Sequence, residues 1–179
     1  METLKVKPVT GKSWPDLETL FESKGGPSYC WCMPYRAMDD RAKAGNADRK
    51  AALKSRVEKR VPIGLVGYLT GEPVAWCSLG PRESFMKLGN PQDGDDHGIW
   101  SVTCFFIRRD FRGRGLSAQM LAAAIAYARK RGAEMLEGYP VDPDSPSYRF
   151  MGFVSLFENR GFAPAGRAGT RKHIMQLAL

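Results

Sequence analysis

The chain has 179 residues, 43% of them hydrophobic and 26% charged, which suits one well-buried core and excludes both general disorder and two full domains. No apolar run approaches bilayer-spanning length, and Met1–Lys5 lacks the basic-then-apolar layout of a leader, so a cytoplasmic address and no membrane partner are expected. A net charge of +8 leaves both nucleic acid and a small anion open as partners.

Leu4 to Val9 alternates as a short strand. Ser13 is placed to cap a first helix, with Pro15 in the first turn, Asp16 and Glu18 suited to the dipole, and Leu17, Leu20 and Phe21 on one face. Gly25-Gly26-Pro27 ends that helix. The segment Ser28 to Met38 is irregular and aromatic, holding Cys30-Trp31-Cys32 and Tyr35. Asp39 or Asp40 opens a second, highly charged helix that runs to about Glu58.

From Gly64 the texture changes. Gly64–Leu69, Thr70-Gly71-Glu72 and Pro73–Leu79 read as a hairpin with a glycine turn. Arg82 to Gly98 is a polar connection with turn signals at Asn90-Pro91 and Asp93-Gly94. Trp100–Ile107 is an apolar strand, Leu116–Ala128 a helix stopped by Arg129-Lys130-Arg131-Gly132, and Met135–Val141 a further strand. A short helix around Phe153–Asn159 and a last strand, His173–Leu179, complete the order β-α-α-β-β-β-α-β-α-β. The unit from Trp100 to Val141 is a right-handed parallel crossover by rule.

Cys-x-Cys geometry is poor for a disulfide, and His97 and His173 are the only histidines, without zinc-like spacing. Reduced thiols and no metal are expected, with Cys77 and Cys104 as small core residues. Arg36–Arg60 carries nine basic and four acidic residues, and Arg108–Arg131 seven basic residues against Asp110 alone. The first cluster lacks stacking aromatics among its bases, so nucleic acid is not the expected partner.

The second cluster surrounds Arg112-Gly113-Arg114-Gly115-Leu116-Ser117, which joins a strand to a helix. Such a turn leaves backbone N–H groups unpaired and aims them one way. With the positive end of the helix dipole they form a site for a diphosphate. An ordinary turn is the competing reading of the same hexapeptide.

The stretch Phe105–Ser117 resembles the GNAT superfamily of acyl-CoA-dependent N-acyltransferases, whose signature Gln/Arg-x-x-Gly-x-Gly/Ala is matched by Arg112, Gly115 and Ser117. Leu156-Phe157-Glu158-Asn159-Arg160-Gly161-Phe162 is similar to its second landmark, Leu-Tyr-Glu-x-x-Gly-Phe. Ser117 replaces Gly or Ala, and Phe157 stands where the family often has a tyrosine that protonates the leaving thiolate. The resemblance implies an α/β (α+β) fold with a mixed, mostly antiparallel central sheet, a parallel β-α-β crossover and flanking helices. It implies one domain over residues 1–179, with 1–62 on the acceptor side and 63–179 binding acyl-CoA. Acetyl-CoA is then the co-substrate and needs no metal. Arg112, Gly113, Arg114, Gly115, Leu116 and Ser117 would hold its diphosphate, while the backbone of Phe106 and Ile107 would bind pantetheine as a strand edge binds a peptide.

The implied reaction is direct acetyl transfer to the primary amine of a small molecule. A protein acceptor and a non-catalytic acyl-CoA-binding module are the alternatives, and a homodimer is left open. A free amine has a pKa near ~10 and must lose a proton first. Glu137, a charge inside an apolar strand, is either that base or a structural side chain that points to solvent or pairs with an arginine. Tyr139 and Tyr148, with Ser155 behind them, are candidate acids. Asp95-Asp96-His97 reads as a solvated turn or as a contact for a cationic acceptor. Cys30-Trp31-Cys32 and Tyr35 either wall the acceptor pocket or plug the core, and no histidine in that segment supports a nucleophilic cysteine.

Overall fold

Thr70 and Gly71 both take positive φ, 46° and 89°, in the two-residue turn whose twist matches the strands it joins. That turn sets the hairpin around which the sheet is built. The computed structural model describes residues 2–86, 88 and 96–179. The Asn90-Pro91 and Asp93-Gly94 turn signals, and Asp95, lie outside the described residues.

The strands are β1 (Lys5–Pro8), β2 (Gly64–Leu69), β3 (Glu72–Pro81), β4 (Ile99–Ile107), β5 (Met135–Gly138), β6 (Ala163–Ala168) and β7 (Lys172–Ala178). The helices are α1 (Trp14–Glu22), α2 (Asn46–Glu58), α3 (Leu116–Lys130) and α4 (Val154–Glu158). One sheet runs in the order β1-β2-β3-β4-β5-β7-β6. Only β4 and β5 pair parallel, joined through α3; every other pair is antiparallel. The fold class expected from the resemblance is thus observed.

Each face of the sheet carries its own core. Leu116, Met120, Leu121 and Ala124 of α3 pack with Phe157 of α4 onto Cys77, Leu79, Val102 and Phe105. On the other face Leu17, Leu20 and Phe21 of α1 meet Leu53 and Val57 of α2, Trp31 and Trp76. A third cluster, Phe85, Leu88, Tyr139, Met151, Ala168 and Ile174, lies beside β7.

Four sequence expectations are corrected. A strand at Ala163–Ala168 pairs with β7 although its residues lack an apolar alternation, and all but Ala168 are exposed. Helix α2 starts at Asn46, not Asp39 or Asp40, because Asp48 accepts a 2.8 Å hydrogen bond from Gly45 N–H and fixes the start there. Ser13 occupies the N-cap of α1, but its hydroxyl accepts from Thr10 N–H at 2.9 Å instead of capping the helix. Strand β5 stops at Gly138, short of Val141, which bridges only to Phe153 and Lys172; Pro140 has no N–H to continue the ladder.

Candidate active site

The decisive geometry lies in β4. Cys104 opposes Ser78 and Val102 opposes Leu79, so Thr103 is an extra residue bulged out of the ladder. Before the bulge, Trp100 and Val102 face α3; after it, Phe105 and Ile107 do, while Cys104 and Phe106 join the α1 face. Pairing with β5 ends at Val102↔Gly138, yet β4 continues to Ile107. From Thr103 onward, therefore, one edge of β4 is without its β5 neighbour.

Ladder phase decides which backbone groups face that gap. Arg108 N–H donates to Val74 O at 2.9 Å, and antiparallel bonding alternates by two. The N–H and C=O of Phe106, paired with Trp76, are therefore turned to β3. Those of Phe105 and Ile107 are turned to the gap. Of the two residues expected to offer their backbone, Ile107 turns its groups to the gap while Phe106 turns them to β3, and those of Phe105 face the gap. The Ile107 carbonyl already accepts from Arg112 Nε at 3.0 Å.

The glycine turn begins beyond β4. A short 3-10 turn over Arg109–Phe111 leads to Arg112, Gly113 takes φ 75°, and Gly115 takes φ 71° as the N-cap of α3. No side chain caps α3 and no acid sits in its first turn. A Cβ added at Gly113 or Gly115 would meet nothing within 4 Å. The first amides of α3, including those of Leu116 and Ser117, have no partner within the helix and stand beside unobstructed space. Arg114 reaches back to Glu2 at 3.0 Å and to the Asp110 carbonyl at 3.1 Å, with its guanidinium 5.0 Å from the Phe111 ring centre.

On the α1 face of the same break lies a cavity of about 150 Å³. Pro27, Tyr29, Cys30, Cys32, Pro34 and Tyr35 wall it from the irregular segment. Thr103 to Phe106 form its floor, and Phe150 closes one side. Trp31 is not in the wall; it is buried against Trp14 and Phe21. Cys77 is buried as expected, but Cys104 is half-buried on the cavity floor.

The Cys30 and Cys32 thiols are not activated. Cys30 is pushed far above the usual thiol range by its hydrogen bond with Cys32 and then by burial, and Cys32 likewise by Cys104 first. A protonated thiol is a poor nucleophile. Burial, followed by the neighbouring Tyr148, pushes Tyr35 up to about 12. Tyr148 is itself left-handed, with φ 61°, and stacks edge-on to Phe150.

Glu137 sits elsewhere. It is 1% exposed and both its oxygens lie 3.2 Å from Arg82 Nη1. Gln176 Nε2 donates to it at 2.6 Å, and the Tyr139 hydroxyl donates to it as well. Arg82 also binds Asp96. Desolvation opposes the Arg82 charge, but Asp96 and Glu137 outweigh it and raise its pKa above the ordinary value. Of the two readings of Glu137, the arginine-paired one is observed, and neither Glu137 nor Tyr139 lines the cavity. Asp96 is engaged by Arg82, and Ser155 is exposed on α4. Phe157 is fully buried over Gly138, between Phe105 and Phe162.

Sequence reasoning missed Arg36. It is 1% exposed and donates to Cys32 O (2.8 Å), Ile63 O (2.8 Å) and Ser78 Oγ (3.0 Å), tying the cavity wall to the sheet. Ser78 in turn accepts from Thr103 Oγ1 at 2.8 Å, so the network reaches the bulge. Among the described residues no group of three His, Cys, Asp or Glu is arranged to hold a metal, and no helix is long and apolar enough to cross a membrane.

The acetyltransferase (GNAT) family model matches residues 28–162. Among solved structures, ribosomal-protein-alanine N-acetyltransferase from Brucella melitensis is similar with a TM-score of 0.61 and 20% identity, over 98% of this chain and 100% of that one. AAC(6')-Ib in complex with ribostamycin and coenzyme A gives 0.66 and 15%, over 99% and 94%. The yncA protein from Salmonella typhimurium, with its cofactor acetyl-CoA, gives 0.59 and 17%, over 99% and 94%. At such identities the likeness is one of fold. No curated protein sequence matches the chain.

Proposed function

Since this chain belongs to the GNAT acetyltransferase family, we propose that it transfers an acetyl group from acetyl-CoA directly to the primary amine of a small molecule. One observation carries the reading: the uncapped N-terminus of α3, entered through two left-handed glycines, lies at the end of the strand whose edge is open. Solved structures of the same fold hold coenzyme A or acetyl-CoA.

The residues fit that molecule. Backbone amides from Gly113 to Ser117 meet the diphosphate, with Arg112 and Arg114 adding positive charge. Backbone groups of Phe105 and Ile107 hydrogen-bond the amides of the pantetheine arm. The Phe105 N–H faces the gap and donates to the oxyanion that develops on the thioester carbon. Residues 63–179 thus hold the cofactor, and residues 1–62 supply the acceptor wall.

No carboxylate among the described residues lines the cavity; in this reading the amine gives its proton to water at the cavity mouth. Glu137 and Tyr139 act as positioning residues: they brace the last β4–β5 pair beside the gap, where Ser101 lies 3.2 Å from the Tyr139 hydroxyl. Alignment of amine and thioester supplies most of the acceleration. Tyr29 and Tyr35 are the phenols the cavity offers to the departing thiolate.

That no carboxylate among the described residues lines the cavity also favours a second reading, a module that binds acyl-CoA without turning it over. Calorimetry at low salt, followed by thiol release with an amine panel, separates the two. Saturable acetyl-CoA binding that weakens about tenfold in Arg112→Ala supports the cofactor site. Absence of binding by the intact chain would sink it.

A further inference from the structure

The reaction above leaves open which amine is taken, and the cavity walls bear on that. We propose that the acceptor is a monoamine with one apolar body the size of a single ring, and that polycationic amines are excluded. This inference rests on the acetyl-transfer reading.

Size comes first. An apolar cavity of ~150 Å³ accepts a benzene-sized guest, and the cavity on the β4 floor has about that volume. A three-ring aminosugar is larger than that volume. The wall chemistry agrees: Tyr29, Tyr35, Phe106 and Phe150 present ring faces or edges, and among the described lining residues there is no Asp, Glu, Lys or Arg.

Charge at the rim points the same way. The neighbouring depression, which shares Tyr29, Cys30 and Pro34 with the cavity, contains Arg41 and Arg49. Another, beside Tyr148, contains Arg171 and Lys172. No carboxylate lines either one among the described residues. Lys172 lies 5.5 Å from the Tyr35 ring centre and 5.2 Å from that of Tyr148. An acceptor with several ammonium groups would place its spare charges against arginine and lysine, with no carboxylate among the described lining residues to replace their lost hydration. A monoamine brings one charge, and that charge must leave before attack in any case.

The test measures thiol release from acetyl-CoA by the full chain with three probes: 2-phenylethylamine, ribostamycin, and a short peptide beginning with alanine. The expected kcat/KM for 2-phenylethylamine exceeds that of either other probe by about 100-fold or more. In Phe150→Ala, whose parent side chain is 43% exposed, KM for 2-phenylethylamine rises about tenfold while KM for acetyl-CoA stays put and the thermal melt is unchanged. Faster turnover of ribostamycin or the peptide, or an unchanged amine KM in Phe150→Ala, overturns the inference and leaves acetyl transfer standing. If no amine releases thiol from a chain that binds acetyl-CoA calorimetrically, the catalytic reading falls and takes this one with it.

Discussion

Replacing Arg36 by methionine is predicted to be milder than replacing it by lysine, and to act on the acceptor more than on the cofactor. The guanidinium is buried among neutral partners, and burial pulls its pKa down from 12.5 to about 10. At ~1.4 kcal/mol per pH unit that is a desolvation cost of roughly 3 kcal/mol. Its hydrogen bonds to Cys32 O, Ile63 O and Ser78 Oγ offset that cost. In Arg36→Met both sides of that balance vanish. Ile63 O still accepts from Leu79 N–H at 3.3 Å and Ser78 Oγ from Thr103 at 2.8 Å. Only Cys32 O loses its described partner, at about 1–3 kcal/mol. A net loss of about 2 kcal/mol lowers Tm by about 4–8 °C for a domain of this size. Lysine keeps a charge to desolvate but cannot span Cys32 O, Ser78 Oγ and Ile63 O with the guanidinium's fork, so it loses more. Because Cys32 belongs to the cavity wall, acceptor KM rises about tenfold in Arg36→Met while acetyl-CoA affinity is unchanged. Thermal unfolding of both variants and steady-state kinetics check this. A lysine variant more stable than the methionine one would refute the balance, and an unmoved acceptor KM would refute the link to the wall.

Other expectations follow from single contacts. A Cβ at Gly138 would stand 2.1 Å from Phe157 Cε1, so Gly138→Ala costs about 1–3 kcal/mol by overpacking; adding Phe157→Leu recovers part of it in denaturant melts, and no recovery would mean the clash is elsewhere. Glu137→Gln keeps the hydrogen-bonding shape while Arg82 retains Asp96, so kcat falls less than about tenfold, whereas loss of a general base would lower it about 10²–10⁴-fold. With water as proton acceptor, log kcat/KM rises with slope one toward the pKa of the amine near ~10; a plateau near neutrality would reveal a protein base. Tyr35, held at about 12 against ~10 when unfolded, keeps its proton longer in the fold. It therefore contributes stability that is present below pH ~10 and lost as pH rises toward 12. Alkaline melts of Tyr35→Phe should lack that loss.

Features visible in the chain were those carried by local chemistry. Thr70-Gly71 declared its turn, the apolar runs declared β2 to β4, and Gly113 and Gly115 declared the mouth of α3. Strand β6 was invisible because Ala163 to Arg167 are exposed at the sheet edge and the strand needs no apolar alternation to pair with β7. The start of α2 was misread because Asp39, Asp40 and Asp48 are all plausible caps, and only folding shows which one finds a free N–H. Arg36 was missed because a lone arginine in a basic stretch reads as solvated; its burial depends on carbonyls from Cys32 and Ile63 that meet only in the fold. Glu137 was legible as an anomaly but not in its role, since its partner Arg82 is far away along the chain.

The bulge at Thr103 ties the two halves of the site together. Without the extra residue, β4 would keep one alternation throughout, and Phe105 and Ile107 could not share the α3 core with Trp100 and Val102. One added residue re-phases the side chains, so Phe105 meets Phe157 on the α3 face while Cys104 and Phe106 floor the cavity on the other. The extra twist that a bulge brings falls one residue beyond the last β4–β5 pair, where β5 turns off through Tyr139 and Pro140. Separation of the strands and the change of face thus occur at one point. The open edge proposed for the acyl carrier and the apolar floor proposed for the amine are consequences of the same backbone irregularity, which fixes their mutual distance.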